Sequence, residues 1–291
     1  MRYHGAVIRP PSEARSYILQ ATYGCSHNRC TFCGTYKDKP FRVRPADEVL
    51  EDIELARRTL PHTRRVFLAD GDALVLSTRR LIPILDALGA AFPRLERVGI
   101  YANARNLLRK SVDDLELLRR KKLGIVYLGL ESGSDEVLRR VRKGSTAAEM
   151  VDAVHKARAA GMRASVIAIL GLGGPELSLA HAEATGRVVG QMDPAYFSML
   201  SLMLVPGTKL HRQWQAGEFQ LMGPEAMLVE LRRVIAHLDG LSHCLFRTNH
   251  ASNYLPLAGT LPQDKARLLA TLDNALARGK SALRPEGWRA L

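Results

Sequence analysis

Three cysteines within nine residues, Cys25-Ser-His-Asn-Arg-Cys30-Thr-Phe-Cys33, are the part of this chain best suited to chemistry. Thiolates spaced this closely on one loop hold an iron–sulfur cluster or a zinc ion. Three donors leave one coordination position short of four, and an open position invites a ligand. Three readings compete. A closed zinc site would take His27 as its fourth ligand, although structural zinc usually pairs two separated knuckles. A [2Fe–2S] site of the ferredoxin type shares the C-x4-C-x2-C spacing. Its fourth cysteine would have to be Cys244, more than 200 positions later. The third reading, preferred here, is a [4Fe–4S] cluster with one open iron.

Such a loop needs rigid support, and the surrounding pattern provides it. Short apolar stretches alternate with amphipathic ones about six times. Strands are expected at Tyr17–Ala21, Arg65–Ala69, Arg97–Tyr101, Gly124–Gly129, Arg163–Leu170 and Tyr196–Val205. They are rich in Val, Ile, Leu and Tyr and hardly alternate, as in strands covered on both faces. The intervening helices carry end signals. Pro45 stands at a first helical position, Ser111 precedes two aspartates, and Thr146 with Glu149 reads as a capping box. Pro224 opens a helix that Gly240 stops, and a last helix runs roughly from Pro262 to Arg278. Strand–helix repetition implies parallel strands joined by right-handed crossovers. Six units are too few for an eight-stranded barrel. The expected fold class is therefore α/β, a partial (β/α)6 TIM-like barrel with its site at the C-terminal strand ends. Residues 1–240 would form the barrel, and 241–291 an extension packing on it as a candidate substrate cap. Cys244 to Thr260 lacks periodicity, and a structureless stretch of that length is usually functional.

The cysteine loop after the first strand, with Phe32 before the third cysteine, resembles the radical S-adenosylmethionine (SAM) superfamily. That family usually has C-x3-C-x2-C, so this chain departs from it by one residue between Cys25 and Cys30. Asp70-Gly71-Asp72 stands where the family has a Gly-Gly-Glu-like motif, whose likeness implies reception of the SAM amino group. Gly129-Leu-Glu131-Ser132-Gly-Ser resembles a segment shared by oxygen-independent coproporphyrinogen oxidases, methylthiotransferases and their relatives. By that likeness Glu131 would bind the ribose hydroxyls, with Ser132 beside it, and Lys143 or Arg142 the SAM carboxylate. Ile169 and Gly171, at the fifth strand end, and Val205 and Pro206, at the sixth, match segments that support adenine. The likeness covers roughly residues 16 to 215. It implies reductive cleavage of SAM at the cluster, giving a 5′-deoxyadenosyl radical that abstracts hydrogen from a substrate. Whether the enzyme is an oxidoreductase, lyase or transferase is not implied. A reduced flavodoxin or ferredoxin is the implied electron donor.

Strand-end residues outside that set are the substrate-side candidates. Asn103 and Arg105 follow the third strand, and Arg247, Asn249, His250 and Tyr254 crowd the extension. Arg105 and Arg247 suit a carboxylate or phosphate. Cys244 reads as a small buried apolar residue. With one cysteine outside the motif, a second cluster is not expected, and little chain ahead of residue 16 is left for a cobalamin domain. Subtracting 29 acidic from 42 basic residues leaves a charge of +13, which fits an anionic partner or, as the plainer reading, a solvated Arg-rich surface. No dense basic run points to RNA, so a small anionic molecule is the expected substrate and RNA the alternative. Outside that class stand a ferredoxin-like electron carrier and a zinc-stabilised binding protein. No apolar run approaches the ~20 residues of a membrane helix. The opening residues MRYHGAVIRPP lack the hydrophobic core of a secretory signal. Clustered thiols suit a reducing compartment, so the cytoplasm is expected.

Overall fold

The apolar, barely alternating segments of the sequence become the strands of a mostly parallel sheet in a computed structural model that describes residues 2–290. In chain order the first elements are β1 (Tyr17–Gln20), β2 (Thr22–Tyr23), β3 (Arg42–Val43), α1 (Ala46–Thr59), β4 (Arg65–Ala69), α2 (Thr78–Ala91) and β5 (Arg97–Ala102). Then come α3 (Ala104–Leu108), α4 (Val112–Arg120), β6 (Leu123–Glu131), α5 (Asp135–Arg140), α6 (Ala147–Ala159), β7 (Arg163–Leu170) and α7 (Gly174–Met192). The last are β8 (Tyr196–Ser201), α8 (Lys209–Gln215), α9 (Pro224–Ala236), β9 (Cys244–Arg247), β10 (Ala258–Leu261) and α10 (Lys265–Arg278). Eight strands hydrogen-bond in the linear order β1-β4-β5-β6-β7-β8-β9-β10, while β2 and β3 pair separately.

The chain groups into two compact units. One holds the residues up to Asn28 with Thr35–Leu128 and Ala153–Ala164; the other holds Arg29–Gly34, Gly129–Asp152 and the residues from Ser165 on. In the first, β1 pairs with β4 and β4 with β5, all parallel. Val66, Phe67, Leu68 and Ala69 of β4 are fully buried, which explains why this strand reads as one apolar run. Phe67 packs edge-on against Tyr101 and Tyr127, with ring centroids 4.8 and 5.5 Å away. In the second, β7 and β8 run parallel over six register pairs, and α7 packs on α9.

Several end signals act as the sequence implies. The Ser111 side chain accepts the amide of Asp114 at 3.0 Å. The Thr146 amide donates to Glu149, whose own amide donates to Thr146 Oγ1, closing a capping box. The differences lie further on. Pro45 is the cap of α1 rather than its first residue. Strand β8 stops at Ser201, where the Leu202 amide makes a final bond to the Leu170 carbonyl before the chain turns at Pro206. The segment Cys244–Thr260 is not structureless. Strand β9 adds to β8 in parallel, and β10 pairs with β9 antiparallel. Both are four residues long, too short for a period to emerge from sequence.

Candidate functional site

In the first unit, the ends of β1 and β4 meet around the start of the cysteine loop. Asp70 follows β4 and is fully buried. Its Oδ2 accepts from Gln20 Nε2 at 2.9 Å, the Gly24 amide at 3.0 Å and Lys39 Nζ at 3.1 Å. Asp72, equally buried, accepts on Oδ2 from the Ser26 hydroxyl, from Asn103 Nδ2 at 2.6 Å and from Asn106 Nδ2 at 2.7 Å. The two carboxylates therefore grip the residues on either side of Cys25. Between them only glycine fits at position 71, because a Cβ there would lie 2.4 Å from the Tyr36 ring. Tyr36 is itself tied down, its carbonyl accepting from Asn28 Nδ2 at 2.6 Å.

Asn103 stands beside this turn: its Nδ2 donates to Asp72 Oδ2 and its Oδ1 caps α3 by accepting the Asn106 amide. Arg105 is exposed on α3. Lys110 was not legible as a site residue. It is buried, its ammonium donates to the Leu76 carbonyl at 2.7 Å, and burial lowers its pKa.

In the second unit, Thr31 pins the loop between Cys30 and Cys33. Its amide donates to the Val141 carbonyl, and its carbonyl accepts from Leu210. Phe32 packs on a core of Val137, Val141, Leu172, Leu202 and Leu210. Gly34 lies against Val205, whose Cγ1 would be 2.5 Å from a Cβ at that glycine. Pro206 is exposed in the turn that follows, and Thr208 caps α8. Glu131, at the end of β6, has φ +64 and folds back over Gly129. Its Oε1 lies 2.8 Å from Lys143 Nζ, so two residues read separately from the sequence form one ion pair.

Ser132 does not face that pair. Its hydroxyl is buried, 2.8 Å from His181 Nδ1, and accepts the Ser134 amide. Gly171, with φ +78, donates its amide to Glu230 Oε1 at 2.6 Å. Glu230 also accepts from the Ser178 hydroxyl and lies 3.6 Å from His181 Nε2. Ile169 is partly buried against the apolar core. The sequence signal for Glu230 was a lone acid between Leu228 and Leu231 on the buried stripe of α9.

Burial pushes the Glu230 carboxyl up to about 7 from 4.5 and the His181 ring down to about 4 from 6.5. The two act with opposite sign. Across the Glu230 window the folded protein keeps a proton that the unfolded chain has lost, so this contribution to stability falls as pH rises through about 7. Across the His181 window the unfolded chain binds the extra proton, so that contribution rises with pH. Glu230→Gln removes only the first. Relative to the parent, the variant is expected to gain roughly 2 to 3 kcal/mol between about pH 5 and pH 8, read from urea unfolding at each pH. An unchanged difference would mean that burial does not disturb Glu230.

The C-terminal candidates divide. Arg247 and Asn249 are exposed. His250 is half-buried, its Nδ1 accepts the Ser252 amide at 3.1 Å, and burial lowers its pKa. Tyr254 is buried. Its hydroxyl donates to Glu286 and accepts from Arg289, whose guanidinium stacks 4.2 Å over the ring. Tyr254 therefore ties down Glu286 and Arg289 near the C-terminal end of the described residues. Cys244 is fully buried with its thiol pushed up to about 12, as befits an inert core residue.

The loop thiols differ from it. Cys25, Cys30 and Cys33 are each partly exposed and none is in a disulfide. Among the described residues no three His, Cys, Asp or Glu side chains are already gathered as a metal site, so the case for a cluster rests on donor chemistry. Three soft thiolates in one short loop fit iron–sulfur ligation. Asp70 adds a second fit: its Oδ1 is buried with no hydrogen-bond partner among the described residues, an open acceptor for a cationic group.

The sequence profile of the Radical SAM superfamily matches residues 19–186, more than half of the chain. A Methanocaldococcus jannaschii protein named provisionally as a methylthiotransferase is 28% identical over 154 residues, 50% of this chain and 33% of that one. The heme chaperone HemW of Bacillus subtilis is 21% identical over 217 residues, 72% of this chain and 56% of that one. The chain thus spans between a third and just over half of the length of these relatives. Among solved structures, coproporphyrinogen III oxidase from Escherichia coli shares the fold with a TM-score of 0.58 at 20% identity, over 77% of this chain and 52% of that one. No helix among the described residues is long and apolar enough to cross a membrane.

Proposed function

Because the chain belongs to the Radical SAM superfamily and is a radical SAM enzyme, we propose that Cys25, Cys30 and Cys33 hold its [4Fe–4S] cluster and that it acts on a small anionic substrate. When bound, cluster and SAM supply a 5′-deoxyadenosyl radical, formed with one electron from a flavodoxin or ferredoxin, that takes hydrogen from the substrate. The protein's share is binding, orientation and exclusion of water. The observation that carries the reading is the cysteine loop itself: three partly exposed thiols in the segment between β2 and β3, with Gly24 and Ser26 beside Cys25 fastened to buried carboxylates.

Each remaining residue has a task in this reading. Asp70, through its open Oδ1, would receive the SAM ammonium, with Gly71 and Asp72 shaping the turn. Glu131 would accept the ribose hydroxyls and Lys143 hold the carboxylate, each exchanging its present partner for one on SAM. Phe32, Ile169, Gly171, Val205 and Pro206 would border the adenine, Gly171 through its backbone. Ser132 would act at one remove, by bracing the strand end through His181. Support for an anionic substrate is the +13 charge and the exposed guanidinium groups of Arg105 and Arg247. The same charge favours RNA as a second reading.

Hydrogen transfer separates the two. The reduced, reconstituted enzyme is incubated with SAM and either the small-molecule or the RNA fraction of cells grown in heavy water. Deuterium in 5′-deoxyadenosine from the small-molecule fraction is the expected result. Deuterium from the RNA fraction alone would replace this reading by the RNA one, and binding should then weaken steeply with salt.

A further inference from the structure

Gly171 lies just past the end of β7 with φ +78, and its amide donates not to a strand but to Glu230 Oε1 on α9, at 2.6 Å. Glu230 is buried, and its other oxygen accepts the Ser178 hydroxyl of α7. One turn along α7, His181 is buried as well. Its Nε2 lies 3.6 Å from Glu230 Oε1, and its Nδ1 lies 2.8 Å from the hydroxyl of Ser132, the residue that follows β6. Thr185, a further turn on, accepts the Gly133 amide at 2.9 Å. A Cβ at Gly133 would lie 2.3 Å from the Ala184 carbonyl oxygen, so the chain leaving β6 rests directly on α7.

A buried acid beside a buried imidazole is costly to hold, and apolar residues of similar volume often serve stability as well or better. Packing of α7 does not require the pair. A Cβ at Gly186 would lie 2.6 Å from the Val234 carbonyl oxygen, and one at Gly190 would lie 2.0 Å from that of Asp239. Close backbone approach therefore already locks α7 against α9 and the residues after it. The polar pair stands instead where the two helices meet the ends of β6 and β7. Glu131 immediately precedes Ser132, and Ile169 shortly precedes Gly171.

Given the SAM site proposed above, on which this rests, we infer that Glu230 is a positioning residue for the adenosine half of SAM. Through the Gly171 amide it fixes the turn beside the adenine. Through His181 and Ser132 it fixes the strand end that carries Glu131 beside the ribose. Both strand ends are thus referred to one group on a locked helix, which holds the spacing between the adenine and ribose contacts. Pre-set spacing of this kind is felt as affinity. Adenine and the ribose hydroxyls do not themselves react, so losing their alignment raises KM for SAM and leaves kcat for cleavage largely in place.

The test follows 5′-deoxyadenosine formation against SAM concentration in the anaerobically reconstituted, dithionite-reduced protein, with iron content measured alongside. Glu230→Ala is expected to raise KM for SAM at least about tenfold, with kcat within about threefold of the parent and iron at the parent level. Glu230→Gln keeps an oxygen for the Gly171 amide and should hold KM within about threefold of the parent. Ser132→Ala cuts only the His181 arm and should raise KM at least about threefold, which decides the matter if Glu230→Ala does not fold. A merely structural role predicts lost iron or kcat at unchanged KM. That result, a KM unmoved in Ser132→Ala, or a Glu230→Gln variant as impaired in KM as the alanine variant overturns the inference while the parent still cleaves SAM. A parent that holds a cluster but does not cleave SAM would overturn the proposed SAM site itself, and this inference with it.

Discussion

Replacing Cys25, Cys30 or Cys33 by alanine is expected to abolish SAM cleavage and to leave the reconstituted protein without a stable [4Fe–4S] cluster. Loss of a supporting group around a metal centre typically costs tenfold to a hundredfold; loss of one of only three protein ligands should exceed about a hundredfold. The control is built into the chain. Cys244→Ala removes a thiol that is fully buried and held protonated, so iron content and cleavage should stay at the parent level. Iron and sulfide analysis alongside 5′-deoxyadenosine production reads both outcomes. Parent-level iron in any one loop variant would remove that cysteine from the ligand set. The extra residue between Cys25 and Cys30 gives this series its weight, because it lengthens the loop relative to the usual family spacing.

The second large effect is expected at Asp72, a buried carboxylate outside the thiol set. Asp72→Ala leaves the Ser26 hydroxyl and the Asn103 and Asn106 amides without the buried oxygen they share. Hydrogen bonds to a charged group are worth about 1.5–3 kcal/mol each, and three on one oxygen do not add fully. A loss of about 4 kcal/mol is the expected total, a fall in Tm of roughly 10 °C for a chain of this size. Thermal unfolding of the metal-free protein measures it without involving the cluster. Asp72→Asn keeps one acceptor oxygen and should lose about half as much. In the alanine variant Ser26 is released, so cluster incorporation should fall with stability. A change in Tm below about 2 °C for the alanine variant would show that the shared carboxylate does not hold the turn.

How far the sequence reached follows from which interactions are local. Strands Arg65–Ala69 and Arg163–Leu170 form where the sequence places them, since each is an apolar run bounded by a basic residue and a turn signal. The capping box at Thr146 is likewise local, a matter of three residues. The cysteine loop, the Asp70–Asp72 turn and Glu131 are visible as motifs at strand ends. Their partners are not. Asp72 gathers Ser26 from 46 positions upstream and Asn103 from 31 downstream. Glu230 reaches Gly171 across 59 positions. No periodicity records such pairings; only the packed chain brings them together. The same reason hides the bonding of Tyr254 to Glu286 and Arg289. It makes the region around Tyr254 read as a structureless loop, when β9 and β10 stand on either side of it.

The measurement closest to the central claim is electron paramagnetic resonance of the anaerobically reconstituted, dithionite-reduced protein with and without SAM. A [4Fe–4S]⁺ signal that shifts when SAM is added, accompanied by 5′-deoxyadenosine on turnover, is the expected result. A cluster signal indifferent to SAM, or stoichiometric zinc with no cluster at all, would contradict it.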